Sequence, residues 1–404
     1  MTVTSGLGSP TRTERPTSVE EAAELLRDSS GPLLFRGAGT KAHWGGRPQQ
    51  PGLVVETAAL ARLLDHEPAD MTVAVEAGMP LTVLQEALDE AGQWLAIDPP
   101  SEPAGATVGG LLVTGDFGPR RLRYGAMRDL VIGVTLVLAD GTVAHAGGHV
   151  IKNVAGYDLS KLVCGSLGSL ALVAEVVLRL HPRPGTSATV VVPATVEQAT
   201  AAALRLLASP LEPSAVDWTP SGDDGSAGRV AVRLEGSAAG VQAQAKATTD
   251  LLCEVAGSAP QELRDADEQA LWASVRAAFT SAGPDRTVAN AGTLPSLTPE
   301  VAGALRDAGQ TAGAQTALAS HPALGLHTAS FAGAPDAVAG AFSAWRASVL
   351  ALGGTVLLRE RPPEVDAVVD VLGPAPSAVA LLRSLKSRLD PDGRCAPGRF
   401  GSWY

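Results

Sequence analysis

Apolar and polar positions along the chain mark out its elements. Ser18 and Glu21 have capping-box spacing ahead of "VEEAAELLRD", whose apolar residues recur at helical intervals. "PLLF" is a short apolar run ending in the glycine turn "RGAGTK", which predicts a strand and a tight loop. "GLVVET" and "MTVAVEAG" predict two more strands, with a short helix at "LARLLDHE" between them. "PLTVLQEALDEAG" has helical spacing and stops at Gly92. A glycine- and proline-rich stretch then runs from Asp98 to Gly125. Beyond it, "LVIGVTLVLADGTVAHAGG" holds two β-rich runs around Asp140-Gly141, a hairpin signal, and "LALVAEVVLRLHP" reads as a buried strand closed by Pro182.

The pattern changes near Pro184. From there to about residue 372, alanine-rich amphipathic helices such as "TVEQATAAALRLLAS" alternate with short strands such as "RVAVRLEG" and "ALGLHTASFAG". Helices interleaved with mostly antiparallel strands predict an α+β second domain. The last thirty residues read as a helix and a turn.

Length supports this division, because 404 residues exceed one ordinary core. Hydrophobic residues at 45% and charged residues at 18% describe a folded chain, and a net charge of −11 argues against nucleic acid or an anionic membrane as partner. Three scattered cysteines, Cys164, Cys253 and Cys395, neither ligate an iron–sulfur cluster within the chain nor build a disulfide framework. The polar N-terminus lacks a signal-peptide core, and no apolar run reaches 18 residues, so a cytoplasmic protein without a transmembrane segment is expected.

The candidate chemistry lies in three glycine clusters of the first half. The first is Arg36-Gly37-Ala38-Gly39-Thr40-Lys41, directly after a strand, where tight turns let successive amides converge on an anion. The second spans Gly105, Thr107, Val108, Gly109 and Gly110, with Gly115 beyond it. The third is "VIKNVAGYDLSKLVCGSLGSLALV", in which Asn153, Tyr157, Asp158, Gly165, Ser166, Gly168 and Val173 interrupt or follow an apolar run. Glycine adds nothing to a core, so these positions suggest a backbone close to a ligand. Neither the dinucleotide fingerprint G-x-G-x-x-G nor a P-loop is present. His145 and His149 are separated by Gly147 and Gly148 and make a poor metal pair, so no metal site is expected. His327 reads as a packed histidine, and Arg120, Arg121 and Arg123 either form salt bridges or attract an anion.

Taken in order over roughly residues 16–185, these motifs resemble the vanillyl-alcohol-oxidase or PCMH-type FAD-binding family. "VIKNVAGYDLSKL" and "LDPDGRCAPGR" are most similar to the smaller, E-type flavin subunits of bacterial glycolate oxidases. The resemblance implies an α+β fold: a PCMH-type FAD-binding domain of two α/β subdomains at 1–185, an α+β cap at 186–372, and a segment at 373–404 returning towards the FAD domain. It implies FAD lying between the two subdomains, its pyrophosphate wrapped by the loops at 36–41 and 107–110 and its flavin approached by 165–168. Thr40 stands where covalently flavinylated members carry histidine, so non-covalent FAD is expected. The third loop departs from the family's G-S-E-G-T at Leu167 and Ser169, and Ala396 replaces the asparagine of N-P-G.

The partners the resemblance implies are a larger FAD-containing glycolate oxidase subunit, an iron–sulfur subunit and a small 2-hydroxy-acid substrate, with any contact with the inner face of the membrane made through those subunits. The resemblance assigns no catalytic residue. A non-catalytic flavin-fold subunit and a free-standing FAD-dependent alcohol or sugar oxidase remain the alternative readings.

Overall fold

The computed structural model describes residues 12–149, 158–221, 227–280, 286–401 and 403–404. They form two compact units, each with its own core. The first comprises residues up to Phe117, Gly125–Arg183 and Leu372–Tyr404, and the second Gly118–Tyr124 and Pro184–Val371.

The first unit has two layers of α/β structure. A three-stranded parallel sheet places Leu53–Glu56 between Arg12–Glu14 and Leu33–Arg36. The helix Val19–Asp28 covers it with Ala22, Ala23 and Leu26. Ser18 accepts from the Glu21 amide (3.1 Å), while the Glu21 carboxylate reaches the Thr17 amide, so the expected capping box closes one residue early. The far edge of this sheet is extended by the chain's last segment. Leu33 donates to the Arg394 carbonyl (2.7 Å), and Ala396 donates to the Leu33 carbonyl (2.8 Å).

The second layer is a five-stranded antiparallel sheet in the order Leu63–Glu67, Thr72–Glu76, Leu172–Arg179, Val131–Val137, Val143–Gly147. The hairpin around Asp140-Gly141 and the buried strand before Pro182 form as the pattern predicts. The helices Leu81–Asp89 and Val108–Thr114 pack on this sheet through Leu81, Leu84, Leu88, Leu111 and Leu112. The segment "LARLLDHE" is not a helix. One 3-10 turn, Thr57–Ala59, precedes it, and Leu63–Glu67 pairs as an edge strand with Thr72–Glu76. Its leucines have helical spacing, but Leu63 and Leu64 are exposed, so no apolar face rewards a helix, whereas the turn at Pro68–Asp70 presents a partner strand.

The second unit is built on an eight-stranded antiparallel sheet. The order is Gln261–Leu263, Thr186–Ala194, Gly228–Gly236, Ala215–Pro220, Gln315–His321, Leu326–Ala332, Thr287–Gly292, Thr355–Glu360. The helices Val196–Leu207, Ala238–Ala256, Thr298–Ala312 and Pro335–Ala351 bury one face around Trp218, Phe331, Phe342 and Trp345. Asp265–Ala278 packs with Leu271 and Trp272 on the other.

Candidate functional site

Three loops of the first unit converge on one cavity. The first leaves the strand Leu33–Arg36, and Gly39 (φ +74) turns it in the left-handed region. Its residues Arg36 to Ala42 line the cavity together with Trp44. The amides of Ala38 and Gly39 meet no acceptor among the described residues. They are therefore free to face an anion.

The second loop ends at the helix Val108–Thr114, where Thr107 accepts from the Gly110 amide (3.2 Å) as N-cap. The amides of Val108 and Gly109 donate to Met79 and Ala77 carbonyls (2.9 and 2.7 Å). These bonds hold the helix against the strand end and leave the Val108 and Gly109 amides already paired, while Thr107, Gly109 and Gly110 line the cavity. Gly109 is required by packing: a Cβ there would lie 2.6 Å from that of Ala77. Gly37 is likewise needed for close approach, since its Cβ would fall 2.3 Å from Thr107 Oγ1.

The third loop is a turn closed by the Ser169 amide on the Ser166 carbonyl (3.0 Å), with Leu167 at φ +52 and Gly168 at φ +73. Left-handed backbone costs a leucine roughly 1–2 kcal/mol, so the surroundings hold this turn. Leu167 and Gly168 line the cavity, and a Cβ on Gly168 would have only Phe35 within 4 Å, at 3.6 Å.

Charge is placed sparingly. Lys41 is buried, its Nζ 3.4 Å from Oδ2 of buried Asp116, which also accepts from Ser101 Oγ (2.6 Å) and the Phe117 amide. Arg36 pairs with Glu56 at the end of its strand. Burial alone would raise the Glu56 carboxyl, but hydrogen bonds from Arg15 and Arg36 outweigh it and hold it below the ordinary range. Arg399 reaches the cavity from the last segment of the chain, donating to the Ala42 and Trp44 carbonyls (2.6 and 2.7 Å). Leu34, Phe35, Val113, Ala171, Leu172 and Val173 make the remaining wall apolar. Free amides and a buried ammonium between apolar walls suit a long ligand with an anionic middle.

Of the residues the sequence singles out, Arg36 to Lys41, Thr107, Gly109, Gly110, Gly168 and Val173 line the cavity together. Val108 is instead wholly buried in the core. Gly105 and Gly115 cap helix ends in the left-handed region, so their glycine character serves chain reversal. Asp158 caps the helix Leu159–Val163 by accepting from the Lys161 amide (3.1 Å). Gly165 and Ser166 fix the third loop, with the Gly165 amide on the Leu112 carbonyl (3.2 Å). Asn153 and Tyr157 lie outside the described residues. Trp44 carries no signal in the sequence, whereas Leu167 falls inside the stretch 165–168 and Arg399 ends the stretch "LDPDGRCAPGR", neither of them marked as an individual site residue.

Two members of the arginine cluster, Arg120 and Arg123, form salt bridges. Arg120 donates from Nη2 and Nε to one oxygen, Oε1, of the buried Glu235 carboxylate (2.9 and 3.2 Å), and Arg123 donates to the Glu235 carbonyl (2.9 Å), all within the second unit. His327 is packed, its ring between Ser320 and Thr293 hydroxyls (2.8 and 3.0 Å). Among the described residues no cluster of three or more His, Cys, Asp or Glu is arranged to hold a metal.

A family model for an FAD binding domain matches residues 10–161. The chain is 32% identical to the glycolate oxidase subunit GlcE of Escherichia coli (strain K12) over 249 residues, 61% of this chain and 67% of that protein. It is 34% identical to the glycolate oxidase subunit GlcD of Bacillus subtilis (strain 168), over 43% of this chain and 37% of that one. It is 37% identical to a D-lactate dehydrogenase of Archaeoglobus fulgidus over 42% of this chain, which spans only 38% of that relative. Among solved structures, an alkyldihydroxyacetonephosphate synthase superposes with a TM-score of 0.68 at 17% identity, over 95% of this chain and 76% of that one.

Proposed function

From a chain that belongs to the FAD-binding-domain family of FAD-linked oxidoreductases, we propose an FAD-binding subunit of a complex that oxidises glycolate or a closely related 2-hydroxy acid. The supporting observation is the likeness to a glycolate oxidase subunit that extends well past the FAD-binding domain, over 61% of this chain. Likeness to D-lactate dehydrogenases supports the same substrate class, a small acid with a hydroxyl beside its carboxylate.

FAD, once bound, supplies the two-electron redox chemistry. The chain's residues bind and shelter it. The amides of Ala38 and Gly39 and the ammonium of Lys41 face its anionic centre, and Gly110 and Gly168 leave room that a side chain would fill. Leu34, Phe35, Val113 and Leu172 exclude water from its apolar parts. We assign the binding as non-covalent, because Thr40 offers no imidazole and His43, three residues later, is exposed and is not among the residues lining the cavity. A larger flavin subunit completes the reaction and an iron–sulfur subunit accepts the electrons in this reading.

The test is to mix the purified, flavin-loaded chain with glycolate and an artificial dye acceptor, alone and with the partner subunits. Activity that appears only with the partners supports the reading. Rapid turnover by this chain alone would instead make it a complete dehydrogenase. Acid precipitation releasing all the flavin is the expected check on non-covalent binding.

A further inference from the structure

We propose that the segment carrying Lys386, Arg399 and Tyr404 is a clasp that sets the conformation of two cavity loops, and that Tyr404 is a positioning residue for the cofactor. The inference rests on reading the cavity as the FAD site.

The turn Ser166–Ser169 is the reason a clasp is needed. Both its central residues have positive φ, a pairing that suits glycine or asparagine, yet Leu167 occupies the first. Leu167 lines the cavity and its Cδ1 lies against Gly45, so the turn keeps a residue it does not favour. Support comes from outside. Ser169 Oγ donates to the Ser166 carbonyl across the turn (2.7 Å). That uses its one proton, so in the 2.9 Å pair between Ser169 Oγ and Tyr404 Oη the tyrosine donates. Burial, partly offset by the bond to Ser169, pushes the Tyr404 hydroxyl up to about 12, so the donor keeps its proton at any ordinary pH.

A second anchor acts on the same turn. Lys386 Nζ donates to the Ser169 carbonyl (2.6 Å), and is held there by the Asp390 carboxylate (2.5 Å) and the Cys395 carbonyl (3.0 Å). The same stretch of chain secures the first loop: Arg399 donates to Ala42 and Trp44 carbonyls, and the Gly46 amide donates to the Arg399 carbonyl (2.8 Å). The two clasped loops also touch: a Cβ on Gly45 would lie 2.7 Å from Leu167 Cδ1. Tyr404 therefore acts through Ser169 on Gly168, whose backbone lines the site, and does not itself line it.

The experiment is a flavin titration of the full chain, by fluorescence quenching, on Tyr404→Phe, Leu167→Gly and the double variant. Tyr404→Phe removes one hydroxyl and keeps the ring against Phe400 (centroids 4.9 Å). Its FAD dissociation constant should rise about three- to tenfold, the worth of one hydrogen bond. In the Leu167→Gly background, where the turn is unstrained, adding Tyr404→Phe should change the constant by less than twofold. An unchanged constant in Tyr404→Phe overturns the clasp. So does an equal loss in both backgrounds, which would indicate a general loss of stability. Gly168→Val separates the premise: full flavin affinity there overturns the site reading, and the clasp with it.

Discussion

Single groups carry most of the chemistry that can be tested. Lys41 is a buried ammonium lining the cavity, and Asp116 beside it keeps Ser101 and Phe117 as donors. Lys41→Met should cost some stability, because the buried Asp116 carboxylate loses its cation, and in the folded protein should weaken FAD binding about 10- to 100-fold, the range for one hydrogen bond to a charged group. Equilibrium titration decides it; an unchanged affinity would remove Lys41 from the site. His327 makes a prediction of a different kind. Burial, with a smaller contribution from His321, drives its imidazole down from 6.5 to about 3. The folded state therefore prefers the neutral ring, and the unfolded chain takes up the proton first as pH falls below 6.5. The resulting stability is full above that value and is lost progressively towards pH 3. His327→Gln should remove this dependence, so that between pH 7 and pH 5 the variant loses about 2 kcal/mol less than the parent in urea unfolding.

Elements show that the glycines of the three clusters answer to different local demands. Glycine spacing in the sequence reports that backbone must come close to something, but not to what. Gly39, Gly109 and Gly168 all line the cavity, but Gly109 is also pressed against Ala77, and Gly105 and Gly115 end helices. Separate outcomes follow for two substitutions that look alike on paper. Gly109→Val should cost about 1–3 kcal/mol of stability through overpacking, in the flavin-free protein as much as in the loaded one. Gly168→Val, strained by about 1–2 kcal/mol at a φ of +73, should in addition abolish flavin binding, since its Cβ would enter the cavity beside Phe35 (3.6 Å). Thermal unfolding of the flavin-free forms, set beside flavin titration, distinguishes them; equal behaviour of the two variants would contradict the assignment. Strand pattern was read well where burial was decisive, as in Leu172–Arg179 and Val131–Val137. It failed at Leu63–Glu67, where the residues are exposed and strand pairing, invisible in local periodicity, makes the choice.

At the scale of the whole molecule the chain is threaded between units in a way no composition window reveals. The change near Pro184 is visible because alanine-rich helices begin there, but Gly118–Tyr124 lies within a glycine-rich run and still belongs to the second unit. Its anchor is electrostatic. Arg120 and Arg233 flank the buried Glu235, and although burial alone would raise that carboxyl, the two guanidiniums outweigh it and keep it ionised. A charge held this way is costly to strand. Arg120→Ala should destabilise the second unit by about 3–5 kcal/mol, because the buried Glu235 carboxylate loses a cation that donates to it twice. Arg120→Met combined with Glu235→Leu removes both charges and should recover most of that loss. Flavin affinity, a property of the first unit, should change by less than twofold in either variant. Calorimetry with flavin titration tests both halves. If Arg120→Ala instead left stability untouched and raised the concentration of 2-hydroxy acid needed for turnover in the assembled complex, the arginine would be an anion guide after all, and the ion pair with Glu235 incidental.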